Sequence, residues 1–175
     1  MNDWMIDIET TGLRPDKAAI LSIGAVHFDR ETFEPGTAHY WSVEMLDGRA
    51  WDDATKAWWE RQDGQAYAKA VTAEGRMPAG IVLTEMAALI GAEPFFWAKP
   101  AHFDYPFVEG YFAELGLKSP FSHRRVIDVR SWIASRGEDA LARQSAYEAQ
   151  PFTGVAHTPI DDCLNQIRML KEACL

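Results

Sequence analysis

Near its start the chain runs Trp4-Met5-Ile6 straight into Asp7-Ile8-Glu9-Thr10-Thr11-Gly12-Leu13. On an extended strand side chains alternate with a period of two, so Asp7 and Glu9 share one face. Trp4, Met5, Ile6 and Ile8 make this a buried strand, where unpaired acids are expensive. Two neighbouring carboxylates repel each other unless something positive lies between them. A divalent cation is the natural candidate, because carboxylate oxygens suit magnesium or manganese. Thr10-Thr11-Gly12 then breaks the strand into a turn, which puts the acids at a strand end, where open α/β sheets keep their ligands. An Asp-x-Glu pair also suits the solvated face of an antiparallel ribbon, so the metal reading needs partners elsewhere in the chain.

A length of 175 residues predicts a single domain, 1–175, with a full core. Hydrophobic residues at 47% and aromatic residues at 12% predict a globular chain and exclude a disordered one. No apolar run approaches the roughly 20 residues that span a bilayer, and no basic segment with an apolar h-region opens the chain. Cys163 and Cys174 are the only cysteines, which fits free thiols in a reducing compartment and excludes a disulfide framework or zinc site. The expected location is the cytoplasm. Net charge is −9, unusual for a partner of a polyanion. Two divalent cations bring four positive charges, taking −9 to −5, and reverse the local field at the site. Weak overall attraction suits a protein that grips a short strand end and argues against one that coats long DNA.

Residues 2–9, Ala19 to Phe28 and Thr37 to Val43 read as three strands in an antiparallel meander. From Asp53 the period changes, and Ala54 to Gln62 reads as a short helix capped by Asp53. Lys69 to Pro78 reads as a surface loop, and Ile81 to Ile90 as an amphipathic helix. Phe95-Phe96-Trp97 is a brief buried strand, Phe107 to Leu115 a helix ended by Gly116, and Val126 to Ile133 the start of another helix. Gly137 to Thr153 is polar and weakly periodic, so it reads as partly loop. Ile160 to Cys174 closes the chain as a helix with Ile160, Leu164, Ile167 and Leu170 on one stripe. Early strands followed by helices with a strand between them predict an α/β domain, a mixed sheet flanked by helices.

Asp104 stands at a helix start in Trp97-Ala98-Lys99-Pro100-Ala101-His102-Phe103-Asp104, where an N-cap is the simplest role. His157, Asp161 and Asp162 lead into the last helix, where acids are favoured by the macrodipole and His157 suits the surface. Asp161 is rotated about 100° from Asp162 on a helix, so only one of them can face the other acids.

Taken together and in this order, Asp7-x-Glu9-Thr10-x-Gly12-Leu13, Phe103-Asp104 and His157 with Asp162 at i+5 resemble the DEDDh exonucleases of the DnaQ-like group. Similarity is greatest to the branch holding small phage exonucleases and RNase AS-like 3′–5′ exoribonucleases, through Ile20-Leu21-Ser22-Ile23-Gly24-Ala25-Val26, Thr55-x-x-Trp58-Trp59-x-x-Gln62 and Asp128-Val129-Arg130. Lys99-Pro100 departs from the Asn or Gly common before the second motif, and Pro159 from the alanine of His-x-Ala. Proline suits a first helical turn, so helix geometry survives; Lys99 touches substrate contacts rather than metal binding.

The resemblance implies an RNase H-like fold and a two-ion site for magnesium or manganese. Asp7 would bridge both ions, Glu9 and Asp162 complete the water-activating site, and Asp104 hold the second ion. His157 would serve as general base, since an imidazole titrates near about 6.5. The implied reaction releases nucleoside 5′-monophosphates from single-stranded RNA or DNA 3′ ends, with RNA slightly ahead. The turn Thr10, Thr11, Gly12 and Leu13 would receive the 3′ end, Leu13 as a wedge, with Phe103 beside it. Trp59 or Gln62 is a further substrate contact, although adjacent tryptophans cannot face one way, so one of Trp58 and Trp59 belongs to the core. Asp128 fits a helix cap and His102 a groove edge. A homodimer is consistent with the resemblance. The rivals are a phage or proofreading-type exodeoxyribonuclease, a noncatalytic nucleic-acid-binding subunit, and an endonuclease on RNA–DNA hybrids.

Overall fold

The structure is a computed structural model, and residues 2–174 are described. Strands β1 (Asp3–Thr10), β2 (Ile20–Phe28) and β3 (Pro35–Ser42) form the expected antiparallel meander. Strands β4 (Phe95–Ala98) and β5 (Val126–Asp128) lie parallel to β1, giving one sheet in the order β3-β2-β1-β4-β5. Around it pack α1 (Asp53–Trp59), α2 (Gly64–Ala70), α3 (Ala79–Ile90), α4 (Ala101–Glu114), α5 (Val129–Ala134), α6 (Glu138–Glu148) and α7 (Pro159–Cys174).

Alternation along β1 sorts the core. Trp4, Ile6 and Ile8 enter the layer beneath α3 and α4, while Met5 enters the layer closed by α5, α6 and α7. Asp7 and Glu9 have the parity of Met5, so they emerge on the α7 side of the sheet. At its end β1 is bulged, with a register shift between Glu9 and Thr10, a device that re-aims side chains at strand ends.

Several elements differ from the sequence expectation. Val126–Asp128 is a strand, not the opening of a helix; three residues are too few to show a period. Lys69 and Ala70 end a helix, α2, that the loop reading omits. Glu138–Glu148 is helical although only Ala140 is fully buried, so its apolar stripe is too thin to read. Helix α4 starts at Ala101, with Pro106 tolerated inside it. The cap of α1 is Asp52, which accepts from Thr55 N, rather than Asp53. On α7 Ile167 and Leu170 are buried, whereas Ile160 and Leu164 are half-covered. Among the described residues no helix is long and apolar enough to cross a membrane.

Candidate active site

Parallel pairing of β1 with β4 sets the carboxyl ends of both strands side by side, and the acids gather there. The β1–β4 ladder runs only from Asp3–Phe95 to Met5–Trp97. Beyond it β4 no longer pairs with β1, and the Ile8 N–H donates instead to Asp104 Oδ1 at 3.1 Å. Asp104 is 3% exposed in the first turn of α4. It is therefore not the cap of that helix: Pro100 holds the cap position, and the Ala101 N–H is taken by Asp128 Oδ2 at 3.0 Å. Asp128 also caps α5 through Ser131 N, as expected, and so fastens two helix starts at once.

Helix α7 supplies the next acid because it approaches β2 without obstruction. Gly24 lies opposite Asp7 in the β1–β2 ladder, and a Cβ there would fall 2.6 Å from Pro159 Cβ. Only glycine lets the first turn of α7 press so close. The result is that Asp7, Glu9 and Asp162 offer carboxylate oxygens all within 4.8 Å of one another. Asp161 points elsewhere and ties its own loop, accepting from Val155 N and Thr158 Oγ1.

All five residues singled out by the motifs, Asp7, Glu9, Asp104, His157 and Asp162, line one hollow of about 440 Å³. Burial, then repulsion from Asp104, Asp162 and Glu9, pushes the Asp7 carboxyl well above its ordinary range. Glu9 is raised in the same way, by burial and then by Asp162 and Asp104. Burial lifts Asp104 to about 8 and Asp162 to about 6. Asp162 Oδ2 is buried without a hydrogen-bond partner among the described residues. Oxygen-only donors, mutual repulsion and an orphaned carboxylate oxygen fit hard divalent cations.

Helix α7 contributes one more group. Gln166, one turn after Asp162, donates from Nε2 to Asp7 Oδ1 at 3.0 Å, while its own Oε1 is buried without a partner among the described residues. Its only sequence signal is the i+4 spacing from Asp162, which shares a helix face.

His157 sits just before α7 with φ of 62°, a left-handed conformation uncommon for a residue with a Cβ. Its ring meets the Trp58 ring edge-on, 4.8 Å between centroids. Burial holds the imidazole below its ordinary pKa.

A second hollow of about 460 Å³ adjoins the first across Ile8, Glu9 and Phe103, and is lined by Thr10, Leu13, Trp58 and Trp59. Leu13 is 76% exposed at its lip. Trp59 is the core member of the tryptophan pair, fully buried with Nε1 donating to Thr10 O, so only part of its ring reaches the hollow. Gln62 folds back onto Trp58 O and lines neither hollow. Thr11 is committed internally, donating to Ala50 O and accepting from Ala19 N, and Thr10 Oγ1 donates to Gly12 O. These threonine hydroxyls brace the turn that carries Leu13. Gly12 itself is packed against Asp52 and Ala18. His102 lies on the exposed rim of a neighbouring hollow.

Residues 2–174 match the family of the 3′–5′ exoribonuclease Rv2179c-like domain. The chain belongs to that family. It carries a 3′–5′ exonuclease domain. Among curated proteins none matches it. Solved structures share its fold. The E. coli Exonuclease I–ssDNA complex in its zinc-bound form superposes with a TM-score of 0.73 at 14% identity, over 97% of this chain and 39% of that one. The nuclease domain of 3′hExo, a DEDDh family member bound to rAMP, superposes with a TM-score of 0.69 at 15% identity, over 95% of this chain and 88% of that one. The chain thus spans about two fifths of the length of Exonuclease I. The fold is RNase H-like, as the resemblance implies.

Proposed function

We propose that this chain, taken as one domain over 1–175, removes nucleoside 5′-monophosphates from single-stranded 3′ ends, RNA ahead of DNA. The observation that carries the reading is the convergence of Asp7, Glu9 and Asp162 oxygens within 4.8 Å, with Asp104 and His157 lining the same hollow. Asp7, Glu9, Asp104 and Asp162 would hold two magnesium or manganese ions, which supply charge neutralisation and an acidified attacking water. With the acids so compensated, the polyanionic end can enter a pocket that otherwise repels it.

His157 takes the proton from the attacking water. Its lowered pKa keeps the ring neutral at neutral pH, and the Trp58 edge fixes its orientation. Gln166 holds one Asp7 oxygen in place. Leu13, Phe103 and Trp58 form an apolar berth of the size of a terminal base, and stacking there is worth roughly 1–3 kcal/mol per base. The family supports 3′–5′ polarity and RNA as substrate; Exonuclease I bound to single-stranded DNA keeps DNA as the second reading. A cytoplasmic homodimer remains part of the proposal.

Matched digestion of single-stranded RNA, single-stranded DNA and duplexes, labelled at either end, tests it. Mononucleotides should appear from the 3′ end with Mg²⁺ or Mn²⁺ and disappear with EDTA or in Asp7→Ala. Cleavage indifferent to both would overturn the two-ion assignment, internal products would favour an endonuclease, and strand binding without cleavage would favour the noncatalytic subunit.

A further inference from the structure

The hollow that holds the acids also carries positive charge. Lys99 and Arg130 line it, together with Tyr147, Glu148 and Phe152. Lys99 follows directly on β4, and its stem lies on α7, Nζ 3.5 Å from Met169 Sδ. At its tip Nζ bonds Glu148 Oε1, at the end of α6, at 2.5 Å, and the same oxygen accepts from Gln144 Nε2 at 3.2 Å. The Lys99 side chain is 19% exposed and that of Glu148 43%. Lys99 is thus the more enclosed member of the pair, and Glu148 stands on its solvent side. Arg130 is exposed and bonds no carboxylate among the described residues.

Lys99 also lies close enough to Asp162 to favour its ionised form. A cation so near the acids is not there to fold the chain, since a half-exposed ion pair contributes little stability. An ammonium that holds a carboxylate oxygen can hold a phosphate oxygen by the same charge-assisted hydrogen bond.

Resting on the exonuclease reading, we propose that Lys99 and Arg130 receive the phosphate on the 5′ side of the terminal nucleotide's neighbour, and that Glu148 is its built-in stand-in. An arriving strand displaces the Glu148 carboxylate from Lys99, so the acid sets a threshold against weakly held anions. Tyr147 and Phe152 offer faces for the base that accompanies this phosphate. No bond is made or broken at this position; it grips and orients.

Two substitutions should act in opposite directions. With a short single strand as substrate, initial rates of mononucleotide release are measured across salt concentrations. Lys99→Ala should raise KM roughly tenfold, as expected for losing a hydrogen bond to a charged group, and flatten the salt dependence by about one phosphate contact. Lys99→Arg should restore most of the loss. Glu148→Gln, at a half-exposed site where folding is safe, should lower KM roughly two- to fivefold, the scale of an exposed ion pair. A wild type that releases no mononucleotide overturns the exonuclease reading and this inference with it. An active wild type with unchanged Lys99→Ala kinetics, or with a raised KM in Glu148→Gln, overturns the inference alone.

Discussion

Strand β1 carries two carboxylate sites on one face, four residues apart, the first buried and the second half-buried, and they are handled in opposite ways. At its start Asp3, 1% exposed, receives Arg30 as a salt bridge and Trp97 Nε1 at 2.8 Å. Arg30 is itself held over the Phe95 ring, 3.9 Å from its centroid. At the strand's end Asp7 receives only the neutral Gln166 and faces Glu9, Asp104 and Asp162. The chain supplies a cation to one acid and withholds it from the other. Asp3 has its own arginine, whereas the acids around Asp7 have only Lys99 nearby, which lies close to Asp162 and is already paired with Glu148.

The largest expected effect separates the two directly. Asp7→Asn should cut nuclease turnover by about a thousandfold or more, the scale for removing one group that stabilises a charged transition state. The same change should raise the Tm of EDTA-treated protein at alkaline pH, where the carboxyl would otherwise ionise among like charges. Asp3→Ala should do the reverse, lowering stability by about 3 kcal/mol, as for a buried pair deprived of one partner. Its turnover per folded molecule should stay at the wild-type level; a loss comparable with that of Asp7→Asn would break the comparison.

A third test uses pH. Asp104, at about 8 in the native protein, keeps a proton that the unfolded chain gives up near its ordinary carboxylate value, and Asp162, at about 6, behaves likewise over a shorter range. Stability from these groups is therefore complete at low pH and lost as pH rises toward 8. One retained proton corresponds to about 1.4 kcal/mol per pH unit. Chemical denaturation in EDTA should show this decline from about pH 4 to 8, from both groups up to about 6 and from Asp104 alone above it, and Mg²⁺ or Mn²⁺ should offset it by binding the native state alone. A flat profile would mean that the acids are compensated from within, as Asp3 is. The smallest effect belongs to Gln166→Leu, which should weaken Mn²⁺ binding, read by titration calorimetry, by about tenfold.

What was legible in the chain follows from what each feature does locally. Asp7 and Glu9 announce themselves because strand parity is visible in a few residues, and β1 to β3 because their apolar and β-rich runs are separated by short polar turns. The order of the motifs supplied Asp104, His157 and Asp162. Asp3 gave no sign of being buried, since its arginine comes from the hairpin and its tryptophan from β4. Gly24 reads as one more strand residue until α7 is seen lying on it. Trp58 and Trp59 could be split into one core and one facing member, but which was which depended on the contact with Thr10. The Lys99–Glu148 pair joins distant segments and has no local pattern at all.

The acid cluster draws Asp7 from the first strand and Asp162 from the last helix. A chain still emerging from the ribosome, with α7 not yet made, has no complete set of ligands for a cation. The three carboxylates meet only once α7 has packed against the sheet.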